Sequence, residues 1–388
     1  MVSFKERVRG VVLSTALGDA MGAPVEKLSY EEIKKMYKRV ESLRTKWYKQ
    51  DYPADLNLGR QRGNGTVTDD TLMTVALINV YQTEKRHLDA YDMGNEFVKE
   101  IAFRKTYIPE FGREAMIIDR LFYPEKYIFM RHVLANCEPR EAGIGNMVNC
   151  GAAMYIAPIG VVNAGNPKAA YDEAILFAMG HQNSYGLEAA GVLAACVAKA
   201  FEEDVTVDDI VETALLYAKD GTKEAIRDLT EAARTLRAEK AEMDTVIATF
   251  QKVIEKYSPM KDDVHRKFEK VGVPSNHYTP SRLFSIEELP MALAFMVLND
   301  GDYYGSILDG INSGRDTDSI GVMAGVILGA MYGDSVIRRE DVELLEETNK
   351  MNLVQVADQF SETARLIIKE DLQLNEKRRM YFERNTGE

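Results

Sequence analysis

Two carboxylates and two hydroxyls are crowded into one short segment late in the chain. This segment, Ser313–Ile320, reads SGRDTDSI and contains Asp316 and Asp318, with Thr317 and Ser319 beside them. So much negative charge in one place is costly to bury unless a cation lies among the carboxylates. The hard oxygen donors favour magnesium, manganese or calcium over zinc, because the segment itself contains neither Cys nor His. The segment therefore predicts half of a divalent-cation site.

A second cluster of the same kind begins a helical pattern much earlier. Thr68, Asp69 and Asp70 precede apolar residues at helical spacing, Met73, Ala76, Leu77 and Val80. A threonine or aspartate in this position could simply cap the helix by accepting hydrogen bonds from its first N–H groups. One acidic residue would satisfy that role. Two adjacent carboxylates flanked by threonines exceed it, so we favour metal binding here.

The two clusters share one order of residues, which is threonine, carboxylates and then a helix. Residues two apart on an ideal helix point to different sides, so Asp316 and Asp318 could converge on one ion only if the chain turns before the helix. Gly314 permits such a turn. If both helix starts meet, four carboxylates and several hydroxyls would surround one or two divalent cations.

Two further acidic residues flank an expected break in the first helix. The glycines and the proline between Gly18 and Glu26 are expected to stop that helix, with Ala23 extended because it precedes a proline. Asp19 is more simply a brace for the turn than a ligand. For Glu26, a structural and a functional role remain equally open.

A glycine- and asparagine-rich segment, 143–160, permits close approach of the backbone to a ligand. It contains Asn149, Cys150, Gly151 and Tyr155, and it matches neither a Walker loop nor a dinucleotide fingerprint. His181 comes shortly afterwards, ahead of an alanine-rich run. A lone histidine beside a core helix is more often structural than catalytic.

The elements that must position these residues are helices. Alternating apolar and polar runs are few, and neither hairpin dipeptides nor repeats stand out. The sequence predicts a compact, nearly all-α domain across residues 1–388, with a peripheral helical layer around 201–280 and a C-terminal helical extension around 340–388.

The composition excludes several classes of protein. With 48 Lys and Arg against 61 Asp and Glu, the formal net charge is −13, which argues against general binding of nucleic acids or anionic membranes. The apolar run near Gly321–Met331 is too short to span a bilayer, and the N-terminus lacks the apolar core of a signal peptide. Cys137, Cys150 and Cys196 read as free thiols of a reducing compartment, so the cytoplasm is the expected location.

Five motifs in a fixed order resemble those of the ADP-ribosylglycohydrolase family, which includes the dinitrogen-reductase-activating glycohydrolases. The resemblance spans roughly residues 5–333 and is more specific than any single motif. The motifs are Gly18–Glu26, Thr68–Thr71, Gly151–Met154 with Pro158 and Gly160, His181, and Gly314–Ser319.

The resemblance implies an orthogonal all-α bundle with a centre of two magnesium ions, or manganese in some members. It implies hydrolysis of an N- or O-glycosidic bond to ADP-ribose on a protein, a nucleic acid or a small molecule. Glu26 would lie on a flexible loop beside the site, His181 would line the ligand channel, and Asp69 or Asp70 would position or deprotonate water. The metal ligands implied in this way are Thr68, Asp69, Asp70, Asp316, Asp318 and Ser319.

The chain departs from the family pattern where the distal part of the ligand would lie. Cys150 follows Asn149 where a glycine is usual, Tyr155 stands where an arginine is common, and Arg315 replaces a glycine. With Gly151 and His181, these residues are the candidate substrate-binding set. The departures leave open a hydrolase of another ribosyl or glycosyl compound. A non-catalytic relative is a third alternative, disfavoured by the intact acidic clusters.

Overall fold

The structure is a computed structural model that describes residues 2–146, 148–257 and 284–386. Across these residues the chain is mostly helical, and the strands form one two-stranded sheet. The all-α class predicted from the sequence is therefore confirmed. The single-domain organisation stays a prediction, and part of its proposed peripheral layer, residues 258–280, lies outside the described residues.

The helices are numbered in chain order. In the first half they are α1 (Phe4–Gly22), α2 (Tyr30–Tyr37), α3 (Ala54–Asn57), α4 (Asp69–Glu84), α5 (Ala90–Asp92), α6 (Val98–Ala102), α7 (Ile117–Arg120), α8 (Tyr123–Ala135), α9 (Ala157–Val162) and α10 (Pro167–Ala178). In the second half they are α11 (Ser184–Ala200), α12 (Val207–Tyr217), α13 (Asp220–Glu239), α14 (Met243–Ile254), α15 (Phe284–Leu298), α16 (Tyr303–Asn312), α17 (Thr317–Tyr332), α18 (Arg339–Asn349) and α19 (Leu353–Thr386).

The centre of the molecule is the pair α1 and α17. Residues Thr317–Met331 of α17 are all buried, and α1 is buried from Gly10 to Gly22. Their backbones touch because small residues face each other: a Cβ on Gly22 would lie 2.5 Å from the Cα of Asp318. Such close contact between backbones is possible only where glycine removes the side chain. The contact brings the last turn of α1 against the first turn of α17.

The end of α1 differs from the sequence-based expectation. The helix runs through Gly18 and ends at Gly22, and a 3₁₀ turn over Ala23–Val25 follows. Ala23 is helical, with φ −50° and ψ −34°, so its predicted extended conformation is wrong. Proline is tolerated in the first turn of a helical segment, where its missing N–H would have had no partner. Pro24 therefore continues the turn.

A small hairpin interrupts the helices and was not expected from the sequence. Strands β1 (Lys105–Ile108) and β2 (Arg113–Met116) pair antiparallel, with Lys105 opposite Met116 and Ile108 opposite Arg113. A 3₁₀ turn at Pro109–Phe111 joins them. Each strand has only four residues, of which one is buried, so it lacks the apolar alternation by which a strand is predicted.

The outer helices cover this centre from two sides. Helices α12, α13 and α14 pack in sequence beside α11 and α15, while α18 and α19 pack against α1 and α4. The buried residues of α19 end at Ile367, although the helix continues to Thr386. Among the described helices, none has the length and apolar character needed to cross a membrane.

Candidate functional site

The starts of α4 and α17 meet beside the last turn of α1. Thr68 is the N-cap of α4, but its side chain makes no capping bond. Instead, the carboxylate of Asp19 on α1 accepts from the backbone N–H groups of Thr68 at 2.8 Å and Thr71 at 3.1 Å. It also accepts from both threonine hydroxyls. Asp19 thus caps α4 from another helix and fixes the direction of the chain at Asp69 and Asp70.

Asp70 and Asp318 form, with Asp19, a buried group of carboxylates from three helices. One oxygen from each lies within 4.8 Å of the others. Burial, and then the neighbouring aspartates, raise the pKa of Asp70 well above its usual value. Burial, followed by the charges of Glu26 and Asp70, does the same for the pKa of Asp318. Burial also raises the pKa of Asp19 to about 6, although hydrogen bonds from Thr71 and Thr68 oppose the shift.

A divalent cation fits this group on chemical grounds. Carboxylate and hydroxyl oxygens are the ligands that magnesium and manganese prefer, and the carboxylates repel one another without a positive charge between them. Ser319 adds a hydroxyl, which donates to Oδ1 of Asp70 at 3.2 Å. The residues present are therefore suited to hold such an ion.

Asp316 faces a second group beside the first. Its carboxylate lies with Cys150 Sγ and a Glu288 oxygen, all within 4.8 Å of one another. The thiol of Cys150 donates to Asp316 Oδ2 at 3.3 Å and to Ser319 Oγ at 3.4 Å, so Ser319 lies between the two groups. The local sequence around Asp316 contains no cysteine, but the fold places one there. Burial raises the pKa of the Cys150 thiol well above its usual value.

The turn that precedes α17 separates Asp316 from Asp318. Gly314 and Arg315 both have positive φ, +87° and +76°. The sequence predicted this turn at Gly314, but the two aspartates then face adjacent groups rather than one point. Arg315 adopts a conformation that costs a side-chain-bearing residue about 1 kcal/mol. Its side chain is 8% exposed and its Nε lies 2.6 Å from Glu287.

A chain of buried ion pairs borders the open side of the carboxylates. Asp69, which is 15% exposed, pairs with Arg120, and Arg120 also pairs with Glu110. The other oxygen of Glu110 lies 2.8 Å from Nε of Arg62, whose Nη1 lies 2.5 Å from Glu26. The chain therefore connects the start of α4 to the loop after α1 through the turn of the hairpin.

These pairs keep their carboxylates charged. Burial would raise the pKa of Glu110, but Arg120 and Arg62 overcome it and hold that pKa below its usual value. Burial opposes ionisation of Glu26 in the same way, yet Lys27 and Arg62 lower its pKa strongly. The carboxylates of the chain are compensated by arginine, whereas Asp70 and Asp318 form no ion pair among the described residues.

His181 lies behind the glycine-rich segment and is fully buried. Its Nδ1 lies 2.8 Å from the hydroxyl of Tyr155, and its Nε2 pairs with Glu125. Glu125 in turn accepts from Asn149 at 3.2 Å, and Oδ1 of Asn149 accepts from Gly151 N–H at 2.9 Å. The arrangement supports the segment that carries Cys150. A role of His181 in lining the ligand channel stays a prediction.

The sequence analysis missed several charged residues at the site, among them Arg62, Glu110, Arg120, Glu125 and Glu288. A signal existed for Arg120, which lies among Ile117, Ile118 and Leu121, because a charge within an apolar run is buried only when paired. Glu125 offers a similar signal. Nothing local marks Arg62 or Glu110, because their partners are distant in sequence.

The comparisons with known proteins concern the family and the fold of the chain. The model of the family described as ADP-ribosylglycohydrolase matches residues 1–371. An ADP-ribosylhydrolase ARH3 from Gallus gallus is 24% identical over 355 residues, which are 89% of this chain and 91% of that protein. The human ADP-ribosylhydrolase ARH3 is 23% identical over 340 residues, or 84% of this chain and 85% of that protein.

Two further comparisons extend this result. An uncharacterized protein of Archaeoglobus fulgidus is 26% identical over 354 residues, covering 89% of this chain and 95% of that protein. A solved structure described as an ADP-ribosylglycohydrolase-related protein complex aligns with a TM-score of 0.55 at 18% identity. The alignment covers 94% of this chain and all of the other, which confirms the predicted fold. The chain belongs to the ADP-ribosylglycohydrolase family.

Proposed function

We propose that the protein is a divalent-metal-dependent hydrolase that cleaves an N- or O-glycosidic bond to ADP-ribose. The observation that carries the proposal is the meeting of two helix starts, distant in sequence, whose carboxylates are buried against one another. One oxygen of Asp70 lies within 4.8 Å of one oxygen of Asp318, and Ser319 contacts Asp70 directly and Asp316 through the thiol of Cys150. Family membership and the names of the ARH3 relatives support hydrolysis of an ADP-ribosyl bond.

The proposed ligands of the cation are Thr68, Asp69, Asp70, Asp316, Asp318 and Ser319. The hydroxyl of Thr68 donates to Asp19 and so keeps lone pairs for an ion. Two adjacent acidic groups, joined by Ser319, favour two ions, magnesium or manganese. When bound, such ions would hold the ribose hydroxyls, polarise a water molecule and stabilise negative charge.

The side chains themselves divide the remaining work. Asp69 lies at the open edge and is 15% exposed, whereas Asp70 is only 2% exposed. Asp69 is therefore the better placed of the two to position the attacking water and accept its proton. Glu26, also partly exposed, would face the positive charge that develops on the sugar as the anomeric bond breaks. Asp70 is better placed to bind the ion.

The distal part of the ligand would lie along the segment that contains Asn149, Cys150 and Gly151. Tyr155 is fully buried and bonded to His181, so its side chain is committed to the interior rather than to a phosphate. This observation favours a second candidate function, hydrolysis of a simpler riboside or glycoside on the same carboxylates.

Hydrolysis assays with defined substrates test the proposal. Substrates would include ADP-ribosyl-arginine, ADP-ribosyl-serine, O-acetyl-ADP-ribose and simple ribosides, each with magnesium, manganese or EDTA. We expect turnover that EDTA abolishes and that Asp316→Ala reduces at least about 100-fold, while the remote, exposed Asp208→Asn retains it. Activity on simple ribosides alone would select the second candidate. Full activity in EDTA would contradict the metal dependence.

A further inference from the structure

We infer that Glu110 is a positioning residue, which acts through Arg120 to present Asp69 to the metal and through Arg62 to hold Glu26 at the ligand. The inference rests on the proposed function, because it assigns a role toward the same cation. Glu110 lies in the hairpin turn and is 0% exposed, and its side chain pairs with Arg62 and Arg120.

The two oxygens of Glu110 are divided between the two arginines. Oε1 lies 2.8 Å from Nε of Arg62, and Oε2 pairs with Nε of Arg120. Each arginine uses a second nitrogen for a residue of the site: Arg62 for Glu26, and Arg120 for Asp69. One buried carboxylate therefore sets the direction of both guanidinium groups.

This division determines how strongly Asp69 can serve a cation. An arginine that pairs with Asp69 alone competes with the metal ion for the same carboxylate, because both the guanidinium and the metal ion are positive. The negative charge of Glu110 offsets part of the positive charge of Arg120, so the carboxylate of Asp69 attracts a cation more strongly. Without the charge of Glu110, Arg120 would pair with Asp69 alone and Arg62 would pair with Glu26 alone. The cation would then bind more weakly.

The backbone of the same turn holds the adjoining loop. The carbonyl of Glu110 accepts from the N–H of Gln61 at 2.8 Å, one residue before Arg62. Arg62 is further fixed by the ring of Trp47, whose centroid lies 5.8 Å from the guanidinium carbon. The hairpin turn thus contacts the adjoining loop through both the backbone and the side chain of Glu110.

The decisive experiment is a double-mutant cycle read by metal affinity. Binding of Mn²⁺ would be measured by calorimetry for the wild type, Glu110→Gln, Arg120→Gln and the double variant. We expect Glu110→Gln to weaken binding about tenfold, the size typical of residues that orient a metal ligand. In the Arg120→Gln background, the same change should alter affinity less than about twofold, because the connecting residue is gone. Equal effects in both backgrounds, or no effect of Glu110→Gln, would overturn the inference.

Glu173→Gln is the matched control. Glu173 is also a buried carboxylate with charged and neutral donors, but it lies among α4, α9 and α10, away from the site. It should lower the melting temperature as Glu110→Gln does and leave Mn²⁺ affinity unchanged. Loss of affinity in this control would mean that destabilisation alone explains the effect.

Kinetics separates positioning from loss of folded protein. For the folded Glu110→Gln variant at saturating metal, we expect a lower kcat and a higher KM, because both Asp69 and Glu26 are displaced. A lower kcat with an unchanged KM would mean only that a smaller fraction of the protein is active, and it would contradict the positioning role. If Glu110→Gln does not fold, Glu110→Asp replaces it in the cycle, with a smaller effect of the same sign. A wild type that binds no Mn²⁺ would instead refute the proposed function itself.

Discussion

The buried carboxylate of Glu173 and the buried carboxylates of Asp70 and Asp318 have opposite surroundings. Glu173 is surrounded by donors: Tyr81 OH at 2.7 Å and Leu88 N–H at 2.8 Å contact one oxygen, and Asn163 and His87, each at 2.6 Å, contact the other. Both of its oxygens are satisfied, which is the usual condition for burying a polar group.

Asp70 and Asp318 are equally buried but face other carboxylates. The pKa of each is raised well above its usual value by burial and by those neighbours. Since the same chain gives Glu173 four donors, the raised pKa values of Asp70 and Asp318 are a property of the site rather than of the fold. Groups held in an unfavourable state commonly serve function at the expense of stability.

The largest expected effect comes from neutralising one carboxylate of the site. Asp318→Asn should raise the unfolding free energy of the metal-free protein by about 1 kcal/mol, because it removes repulsion. It should also abolish the rise in melting temperature that Mn²⁺ causes and lower turnover at least about 100-fold. Thermal denaturation with and without Mn²⁺ measures the two effects on stability, and a hydrolysis assay measures the loss of turnover. A less stable metal-free variant would show that Asp318 is satisfied as Glu173 is.

The second effect concerns Glu173 and its partner His87, and it is a dependence of the unfolding free energy on pH. Contacts with Glu173 and Asp371 raise the pKa of His87 from 6.5 to about 9. Because the folded-state pKa is the higher one, this stabilisation is complete below pH 6.5 and is lost as the pH rises through 9. We expect the unfolding free energy to fall by about 1–2 kcal/mol across that range, after a discount for partial exposure of His87.

Chemical denaturation at pH 6.5, 8 and 9.5 measures this loss. His87→Gln should flatten the profile over that range, since the titrating partner is removed. If the unfolding free energy of His87→Gln falls as steeply with pH as that of the wild type, the pH sensitivity does not come from the pair of His87 and Glu173. The contrast between Glu173 and the aspartates of the site would then lose this support.

The smallest effect is expected at Arg315. Glycine at this position would relieve the cost of φ +76° but remove the contact with Glu287, so the stability of Arg315→Gly should stay within about 1 kcal/mol of the wild type. Because the guanidinium is nearly buried, the KM of the substrate should change less than about threefold. An increase of about tenfold in KM would show that Arg315 reaches the ligand, as the sequence comparison with the family suggested.

The fold class and the meeting of the two acidic segments could be predicted from the sequence. The fold class rests on a local pattern, the helical spacing of apolar residues. Carboxylates with hydroxyls at a helix start mark each acidic segment locally, whereas the meeting of the two segments was implied by the resemblance to the family. The turn at Gly314 was predictable from a local pattern as well, since a glycine marks a positive φ. Whether these residues bind metal remains a prediction.

The remaining features depend on pairings between distant residues. Asp19 accepts from Thr68, the N-cap of α4, at a separation of 49 residues, and Arg62 pairs with Glu110 at a separation of 48. No local pattern records such contacts. The division of Asp316 and Asp318 between two groups also escaped prediction, because it depends on the direction of the chain after Arg315 as well as on Gly314.

The glycine contact between α1 and α17 bears on how this protein can diverge. At Gly22 the backbone of α1 lies directly against the backbone of Asp318, so the distance between the helices there is set by main-chain atoms. Exchanging apolar side chains elsewhere in the core cannot widen or narrow that gap. Relatives that share only a quarter of their residues with this chain could therefore repack most of the interior while the spacing of the acidic group stays constant. Any side chain introduced at Gly22 would collide with the backbone of α17 and should destabilise the protein far more than substitutions of larger neighbouring residues.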